Sequence, residues 1–378
     1  MASTTATKHV HFTEGRVNSK RNGAPGMMLL GSTTTTKKLS ASCQQVVAEE
    51  FADASARVVI RSCLADSQLY PIISGHLCNK NAICPSALNA DMATVVAEYI
   101  WRSLRPNSVV PGINVCNLEV PRSFIAEIPQ RSPGQHLEME ANAELDGDSG
   151  TIRCFWRSVH PDGTKIQSHA HCIVRYEDRE DWTLDWSKVS HMVRNSMKLL
   201  REKAKKGKAD VMETGLAYKA FASFVDYSKK YQAMDQVVFD GLEGCSSLTF
   251  KTDVGDYTGP FHLGIYAMLA NCIGPEADHL QDNTCHLSGF LCNASDMDDN
   301  VYISEGWDTW RCLKPELIDK AHNHRLENYV LMQSRGKGVL QGDVYVLRDG
   351  EVVAVWGGIR FKKVSRKVIN MLLPQPKA

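Results

Sequence analysis

Residues 74–104 read SGHLCNKNAICPSALNADMATVVAEYIWRSL and divide into an irregular segment that ends at Pro85 and a periodic segment that follows it. In residues 87–104, apolar side chains recur every three or four positions, which predicts a long helix with one buried face. Pro85 and Ser86 precede this periodic segment, as is typical where a helix begins. His76 lies in the irregular segment. The sequence therefore places a titratable side chain in a loop directly before a rigid helix.

Strand patterns follow this helix and recur in the second half of the chain. Residues 152–159 and 166–176 read as strands joined through Pro161-Asp162-Gly163, a hairpin-type turn signal. A helical stretch from Trp182 to about Lys205 separates them from the later strand candidates, of which the last two meet at Asp349-Gly350. Those candidates are residues 247–254, 330–333, 339–347 and 351–362, with apolar segments at 265–273 and 287–292. Helix plus antiparallel strands, occurring twice, predicts an α+β fold.

The chain is predicted to consist of an arm and two structured units. Residues 1–42 are rich in Thr, Ser, Lys and Gly, so we expect a disordered arm or linker there. Folded structure is predicted to start near Gln44, where Val46, Val47 and Phe51 have helical spacing. The expected units are residues 43–180 and 237–374, with a helical linker at 181–236 between them.

Composition excludes several classes of protein. The chain has 378 residues, 43% of them hydrophobic, and its 43 basic and 43 acidic residues balance. It therefore has no net positive field, and we expect no nucleic-acid partner. No apolar run reaches the roughly 18 to 20 residues that span a bilayer, and no signal-peptide hydrophobic region occurs near the N-terminus, so a cytoplasmic protein without membrane attachment is expected. The twelve scattered cysteines fit reduced thiols and predict neither a disulfide framework nor a metal site.

His76 is the first candidate for catalysis. Histidine titrates near neutrality, so it can remove a proton from a carbon that adjacent carbonyls acidify and later return a proton to a leaving hydroxyl. The alternative is a histidine that only satisfies local backbone groups, and the residue by itself favours this alternative.

A second candidate segment is HLQDNTCHLSGF, residues 279–290. Asp282 and His286 are four residues apart and would share one face of a helix. The carboxylate could orient an imidazole or polarise a carbonyl, but an aspartate before an apolar helical run is also a common N-cap.

Several segments, in order, resemble the product-template domains of fungal non-reducing polyketide synthases. The segment from His76 to Pro85, continuing through residues 86–93, is similar to the catalytic-histidine motif of that family, and Asp282 to Phe290 resembles the segment that bears its catalytic aspartate. The other similar segments are Tyr218-Lys219-Ala220-Phe221 with Tyr227 and Tyr231, Gly306-Trp307-Asp308, Gly342-Asp343-Val344-Tyr345, residues 357–362 and Leu372-Leu373-Pro374. The resemblance covers about residues 40–374.

The resemblance implies a double hot-dog fold, in which two antiparallel sheets each wrap a central helix and residues 43–180 and 237–374 form the two subdomains. It also implies regioselective aldol cyclisation and aromatisation of a poly-β-ketone in a deep pocket. His76 and Asp282 are then the acid/base pair, His286 has a supporting role, and Asn293 and Trp307 are candidates for substrate contact. A pair divided between the halves predicts a site at their interface.

The expected partners follow from the same resemblance. No bound cofactor is implied, and the substrate is expected on the phosphopantetheine of an acyl carrier protein. No carrier segment follows Pro374, so we expect a partner to supply it, together with other polyketide synthase domains, and a homodimer is compatible with the family. The basic loop at residues 201–208 could attract an acidic carrier, although a solvated loop is the favoured interpretation.

Two alternatives share this fold. One is a dehydratase that acts on a β-hydroxyacyl thioester with a similar His/Asp pair, and the other is a non-catalytic protein that binds polyketide chains or a synthase. Lys80 gives the second some weight, because the family usually has glycine four residues after the histidine and lysine has no preference for left-handed backbone.

Overall fold

The main sheet of the protein consists of two antiparallel halves that form one continuous ladder. The computed structural model describes residues 37–129, 134–249, 278–294, 299–313 and 326–376, and in the helix at 278–293 it describes side chains from Cys285 onward. In hydrogen-bonded order, the first half contains β1 (Gln45–Phe51), β2 (Ser55–Cys63), β7 (His136–Asp146), β8 (Ser149–Val159), β9 (Lys165–Glu177) and β5 (Gly112–Glu119). The second half continues with β14 (Asn300–Trp307), β18 (Glu351–Ser365), β17 (Val339–Arg348), β16 (Leu326–Gly336), β13 (Glu243–Leu248), β12 (Met234–Asp240) and β10 (Asp210–Glu213), and β15 (Thr309–Cys312) also pairs with β18.

The halves join where β5 pairs with β14. Gly306 lies opposite Glu119 and Trp307 opposite Leu118. Gly306 has φ +127°, and a Cβ at this position would overlap the Leu118 carbonyl oxygen. Only glycine therefore permits this approach of the two backbones.

Each half of the sheet wraps one helix. Helix α2 (Ser86–Leu104) packs against strands of the first half, and α5 (Asp278–Asn293) packs against strands of the second. The two helices also contact each other. This arrangement is a double hot-dog fold, and the predicted α+β class is confirmed.

Helix α3 (Arg179–Lys205) covers the outer face of the second half. The Asp178 side chain caps its N-terminus by accepting a hydrogen bond from the Glu180 backbone N–H at 2.8 Å. Its buried face packs against β12, β13 and β18, while its exposed face is mostly polar but also presents Leu184, Met192 and Leu199 to solvent. Within the described residues, no helix is long and apolar enough to cross a membrane.

A second, small sheet contains His76 and the hairpin that follows it. Its order is β11 (Val225–Tyr227), β3 (His76–Cys78), β4 (Asn81–Ile83) and β6 (Ile125–Ala126). Three short helices flank it and the second half of the main sheet: α1 (Tyr70–Ser74), α4 (Thr214–Phe221) and α6 (Arg366–Leu372).

Most local predictions agree with these elements. The helix predicted at residues 87–104 is α2, the two strands predicted around Pro161-Asp162-Gly163 are β8 and β9, and the helix predicted from Trp182 is α3. The stretch 181–236, predicted as a helical linker, also contributes β10 and β11 to the two sheets. Residues 265–273 and 250–254, predicted as an apolar segment and part of a strand, lie outside the described residues.

The prediction of a helix at Gln44 was wrong, because this segment is the edge strand β1. Only Val46 is buried there, and β1 pairs with β2 through a bulge between Val46 and Ala48 that disturbs the alternation. The end of the predicted arm is also packed: Ser42 is buried, and its hydroxyl donates a hydrogen bond to a carboxylate oxygen of Asp91 in α2.

Candidate active site

A cavity of about 1390 Å³ opens between the two halves of the protein. Its walls come from the small sheet, from the loops around β8 and β9, from α5 and from the junction strands. Residues that line it include His76, Phe124, His169, Tyr227, His286 and Trp307. The cavity therefore lies between the two halves, which is where the sequence predicts the site.

His76 is held at this cavity by the hairpin of β3 and β4. Its backbone pairs with Tyr227 of β11, and the hairpin turns through Asn79 and Lys80. The imidazole Nδ1 lies 3.1 Å from the Ile83 carbonyl oxygen. A carbonyl oxygen can only accept a hydrogen bond, so the neutral imidazole carries its proton on Nδ1. Nε2 is then the basic nitrogen, which is the form that a general base requires.

Both residues of the hairpin turn have left-handed backbone conformations. Asn79 has φ +47° and Lys80 has φ +65°. Positive φ at both central positions defines a type I′ turn, for which Asn-Gly is the favoured pair. The turn thus favours glycine at the Lys80 position, and the lysine occupies this conformation at a cost in strain.

Aromatic rings surround His76 and connect it to His286. The Tyr227 and Tyr231 rings have centroids 5.5 Å and 6.0 Å from that of His76. The Tyr227 ring also lies 4.1 Å from the His286 ring, tilted by 35°. The Tyr231 ring lies 6.3 Å from that of His286 as well, so the two histidines share two aromatic neighbours.

His286 is buried on α5 and lies at the cavity wall. Its Nδ1 is 3.2 Å from the Tyr218 hydroxyl oxygen, which also accepts a hydrogen bond from the Met234 backbone N–H at 3.3 Å. These contacts fix the imidazole between α4, β12 and the tyrosine rings. Its supporting role stays a prediction, but its position is one from which it can act on a bound chain or on its neighbours.

Asp282 lies on α5, one turn before His286. Four residues of helix place the two on the same face, as the sequence predicted. Because α5 already includes Asp278, Asp282 is inside the helix and the N-cap alternative is wrong. The Asp282 side chain is outside the described residues, so its pairing with His76 stays a prediction.

Asn293 and Trp307 line the cavity but use their polar atoms for internal bonds. The Asn293 amide donates to the Gly289 and Tyr302 carbonyl oxygens at 2.9 Å and 3.1 Å and accepts from the Tyr302 N–H at 2.8 Å. The Trp307 indole N–H donates to the Val115 carbonyl oxygen at 3.1 Å across the junction. These contacts tie α5 to β14 and β14 to β5. A substrate contact by either residue would therefore involve its apolar surface.

Another histidine of the cavity wall, His169, has a defined tautomer. His169 Nδ1 is 3.1 Å from the Arg122 carbonyl oxygen and Nε2 is 3.0 Å from the Ser158 hydroxyl. The carbonyl can only accept, so Nδ1 carries the proton and Nε2 accepts from Ser158. The pKa of His169 is lowered, first because burial disfavours the cation. The His169 side chain therefore contributes no charge to the cavity wall at neutral pH.

Of the cysteines that the structure describes, Cys78, Cys84 and Cys285 line the cavity. Burial raises the pKa of Cys78 and of Cys84 to about 12. Both are therefore protonated at neutral pH and are poor nucleophiles.

The sequence did not single out Tyr227 or the Ile83 carbonyl as parts of this site. Tyr227 belongs to a strand of three residues, which is too short to show alternation, although it lies within a segment that resembles the family. A backbone carbonyl leaves no signal in side-chain identity.

The fold defines a class of protein, the double hot-dog proteins, and solved dehydratase domains share this fold. The chain resembles the dehydratase domain from the CurF module of the curacin polyketide synthase with a TM-score of 0.55 and 11% identity, over 87% of this chain and 100% of that one. For the dehydratase domain from the CurJ module, the TM-score is 0.60 with 10% identity, over 89% and 100%.

Sequence comparison narrows the class further, although no family model matches the chain. The chain is 45% identical over 349 residues to the non-reducing polyketide synthase PKS1 of Zymoseptoria tritici, which covers 90% of this chain and 15% of that protein. It is 38% identical over 349 residues to non-reducing polyketide synthase 1 of Elsinoe fawcettii, over 91% and 15%, and 35% identical over 370 residues to Preu8 of Preussia isomera, over 97% and 16%.

The chain is a homologue of one segment of fungal non-reducing polyketide synthases, and the predicted family is confirmed. It spans about 15% of the length of these relatives. Its homology and dehydratase fold are consistent with a product-template domain.

Proposed function

We propose that this domain catalyses regioselective aldol ring closure and aromatisation of a poly-β-ketone carried by an acyl carrier protein. The observation that carries this proposal is the His76–Ile83 hydrogen bond, which leaves a basic Nε2 on an imidazole at the wall of a large cavity. The homologous segment of non-reducing synthases supports the same chemistry, because a chain without ketone reduction keeps the acidic methylene groups that an aldol reaction needs.

In the proposed reaction, Nε2 of His76 removes a proton from a methylene between two carbonyls. The resulting enolate carbon attacks a carbonyl carbon farther along the same chain and forms the new C–C bond. The alkoxide takes a proton from the His76 imidazolium, which restores the neutral base. Loss of this hydroxyl as water, followed by enolisation, makes the ring aromatic.

The environment of His76 suits this cycle. The Ile83 carbonyl accepts the Nδ1–H bond in both the neutral and the cationic imidazole, so the ring keeps its orientation throughout. Asp282 is proposed as the carboxylate that stabilises the imidazolium. The cavity volume of about 1390 Å³ exceeds the 300–1,000 Å³ typical of small-molecule pockets, which suits a long folded chain. Proximity of two carbons enforced by its walls would determine the ring that forms.

The fold favours a second candidate, a dehydratase that removes water from a β-hydroxyacyl thioester. This reaction also needs a base and an acid at one cavity, but it gives an enoyl product and no ring.

The basic segment at residues 201–208, where an acyl carrier protein could dock, has five cations, of which two form ion pairs. Arg201 is paired with Glu327, and Lys203 with Asp240 at 2.8 Å. Two of the cations in that segment are thus already neutralised. This pairing supports the solvated-loop interpretation, and both carrier docking and a homodimer stay predictions.

The test is product analysis after pairing the protein with a minimal non-reducing synthase that has no cyclase. We expect the wild type to give one ring pattern, and His76→Ala to reduce its rate by about 10²–10⁴-fold and leave spontaneous shunt products. His191→Ala is the matched control, because His191 is an exposed α3 residue that contacts Asn195.

Three results would overturn the proposal. An unchanged product profile for His76→Ala would show that His76 is not the general base. An enoyl product without a ring would indicate the dehydratase. If the wild type bound the carrier-borne polyketide chain but did not convert it, the result would indicate the non-catalytic alternative.

A further inference from the structure

The tip of the His76 hairpin is bound by the segment that follows β18. The Asn79 side-chain amide donates to the Asn370 Oδ1 at 3.0 Å and to the Leu373 carbonyl oxygen at 2.7 Å. Its Oδ1 accepts from the Gln375 side-chain amide at 3.2 Å. Asn79 is 7% exposed, so these bonds replace water contacts that the buried amide cannot make.

A second asparagine extends the same contact. The Asn81 amide donates to the Pro374 carbonyl oxygen and to the Asn79 carbonyl oxygen, both at 3.1 Å. Between them, the two asparagines satisfy two consecutive carbonyls of the C-terminal segment, those of Leu373 and Pro374.

Apolar packing also joins the hairpin to the C-terminal segment. Ile369 of α6 shares a buried cluster with Cys78 and Ile83, one from each strand of the hairpin. Ile83 also supplies the carbonyl that binds Nδ1 of His76. A shift of the hairpin relative to α6 would therefore move both His76 and its acceptor.

The hairpin needs such support. Its strands have three residues each, and a short isolated hairpin is marginally stable in water. Its turn also holds a lysine at φ +65°, which is unfavourable for any residue with a side chain.

We propose that residues 369–375, here called the C-terminal clasp, position the general base, and that Asn79 is the positioning residue through which the clasp acts. The inference rests on the proposed function of His76. It assigns a positioning role to Asn79, which is not among the described residues that line the cavity, whereas Ile369, Leu372 and Leu373 of the clasp do line it.

Asn79→Gly tests the role of the side chain by itself. Glycine adopts φ +47° without strain, so the turn is kept while all three side-chain bonds to the clasp are lost. Lys80→Gly is the matched control, since it adds the same flexibility to the same turn and leaves Asn79 intact.

We expect Asn79→Gly to lower kcat for ring closure about tenfold with KM within about twofold, because the base is displaced while the cavity is kept. Amide hydrogen exchange in residues 77–82 should become faster in Asn79→Gly and stay slow in Lys80→Gly, whose kcat should match the wild type. The double variant Asn370→Ala with Gln375→Ala, which leaves Asn79 in place, should show the same two changes and serves if Asn79→Gly does not fold.

The inference fails if Asn79→Gly keeps wild-type kcat and exchange rates while His76→Ala is inactive, and the proposed function then stands. A kcat loss that merely follows a lower folded fraction, with unchanged exchange in the folded protein, also overturns it. If His76→Ala retains the wild-type products, the proposed function fails, and the exchange rates still report whether the clasp holds the hairpin.

Discussion

His76 donates its Nδ1 hydrogen to the carbonyl oxygen of Ile83, 3.1 Å away across the β3–β4 hairpin. This bond predicts that the neutral imidazole is the Nδ1–H tautomer. Side-chain ¹⁵N NMR of labelled protein, with His76→Gln to assign the signals, should show a protonated Nδ1 and an unprotonated Nε2 at neutral pH. A proton on Nε2 would contradict both the bond and the proposed role of that nitrogen.

Lys80→Gly should stabilise the protein. The substitution removes the strain of a side chain at φ +65°, and the gain exceeds the added freedom of the unfolded chain. We expect the free energy of unfolding to rise by about 0.5–1 kcal/mol in urea titrations. Lys80→Ala removes the charge but keeps the strain, so a gain of the same size in that variant would show that charge, not backbone conformation, is responsible.

Trp307 and Trp156 provide a matched pair for the junction between the halves. Both are 1% exposed, but the Trp307 indole N–H binds the Val115 carbonyl, whereas that of Trp156 has no hydrogen-bond partner in the described part of the chain. Trp307→Phe should therefore cost about 1–2 kcal/mol more unfolding free energy than Trp156→Phe. Equal losses in urea titrations would mean that the bond across the junction contributes nothing measurable.

The lowered pKa of His169 predicts a loss of stability in acid. Both states are neutral above the ordinary pKa of 6.5, and as the pH falls below it the unfolded chain binds a proton before the folded one does. Stability therefore falls with pH from about 6.5 down to the folded-state pKa. His169→Gln cannot titrate, so its unfolding free energy should change less between about pH 7.5 and pH 5.5 than that of the wild type. Parallel pH profiles for the two proteins would rule out this contribution.

The elements that the sequence predicted correctly are those whose signal is local. Helix α2 follows from apolar periodicity behind Pro85, and the turn at Asp349-Gly350 follows from residues that tolerate positive φ, which both adopt. Strand β1 was mistaken for a helix because its bulge and its half-exposed edge position break the alternation on which strand prediction depends.

Contacts between distant parts of the chain explain several of the segments that resemble product-template domains. Gly306-Trp307-Asp308 meets Gly357 and Gly358 at the junction: the Asp308 N–H binds the Gly357 carbonyl at 3.0 Å, and a Cβ on Gly358 would overlap the Asp308 carboxylate. The resemblance identifies these residues, but the contacts that explain them form only in the folded chain.

The sequence indicated only those parts of the candidate site that consist of side chains. His76, Asp282 and His286 were named through the resemblance, and the residues by themselves favoured other roles. The Ile83 acceptor and the Asn79 bonds were not predictable, because a backbone carbonyl is present at every position and a turn asparagine is usually explained by its turn alone.

The pairing of His76 with Tyr227 has a consequence for the order of folding. The hairpin comes from the first half of the chain, but its neighbouring strand, its clasp and His286 all come from later segments. Closing such long loops is slow because their entropy is lost before the contacts are gained. We therefore expect the first half to collapse around α2 before the hairpin is held, and His76 to reach its final position only when residues 369–375 have docked.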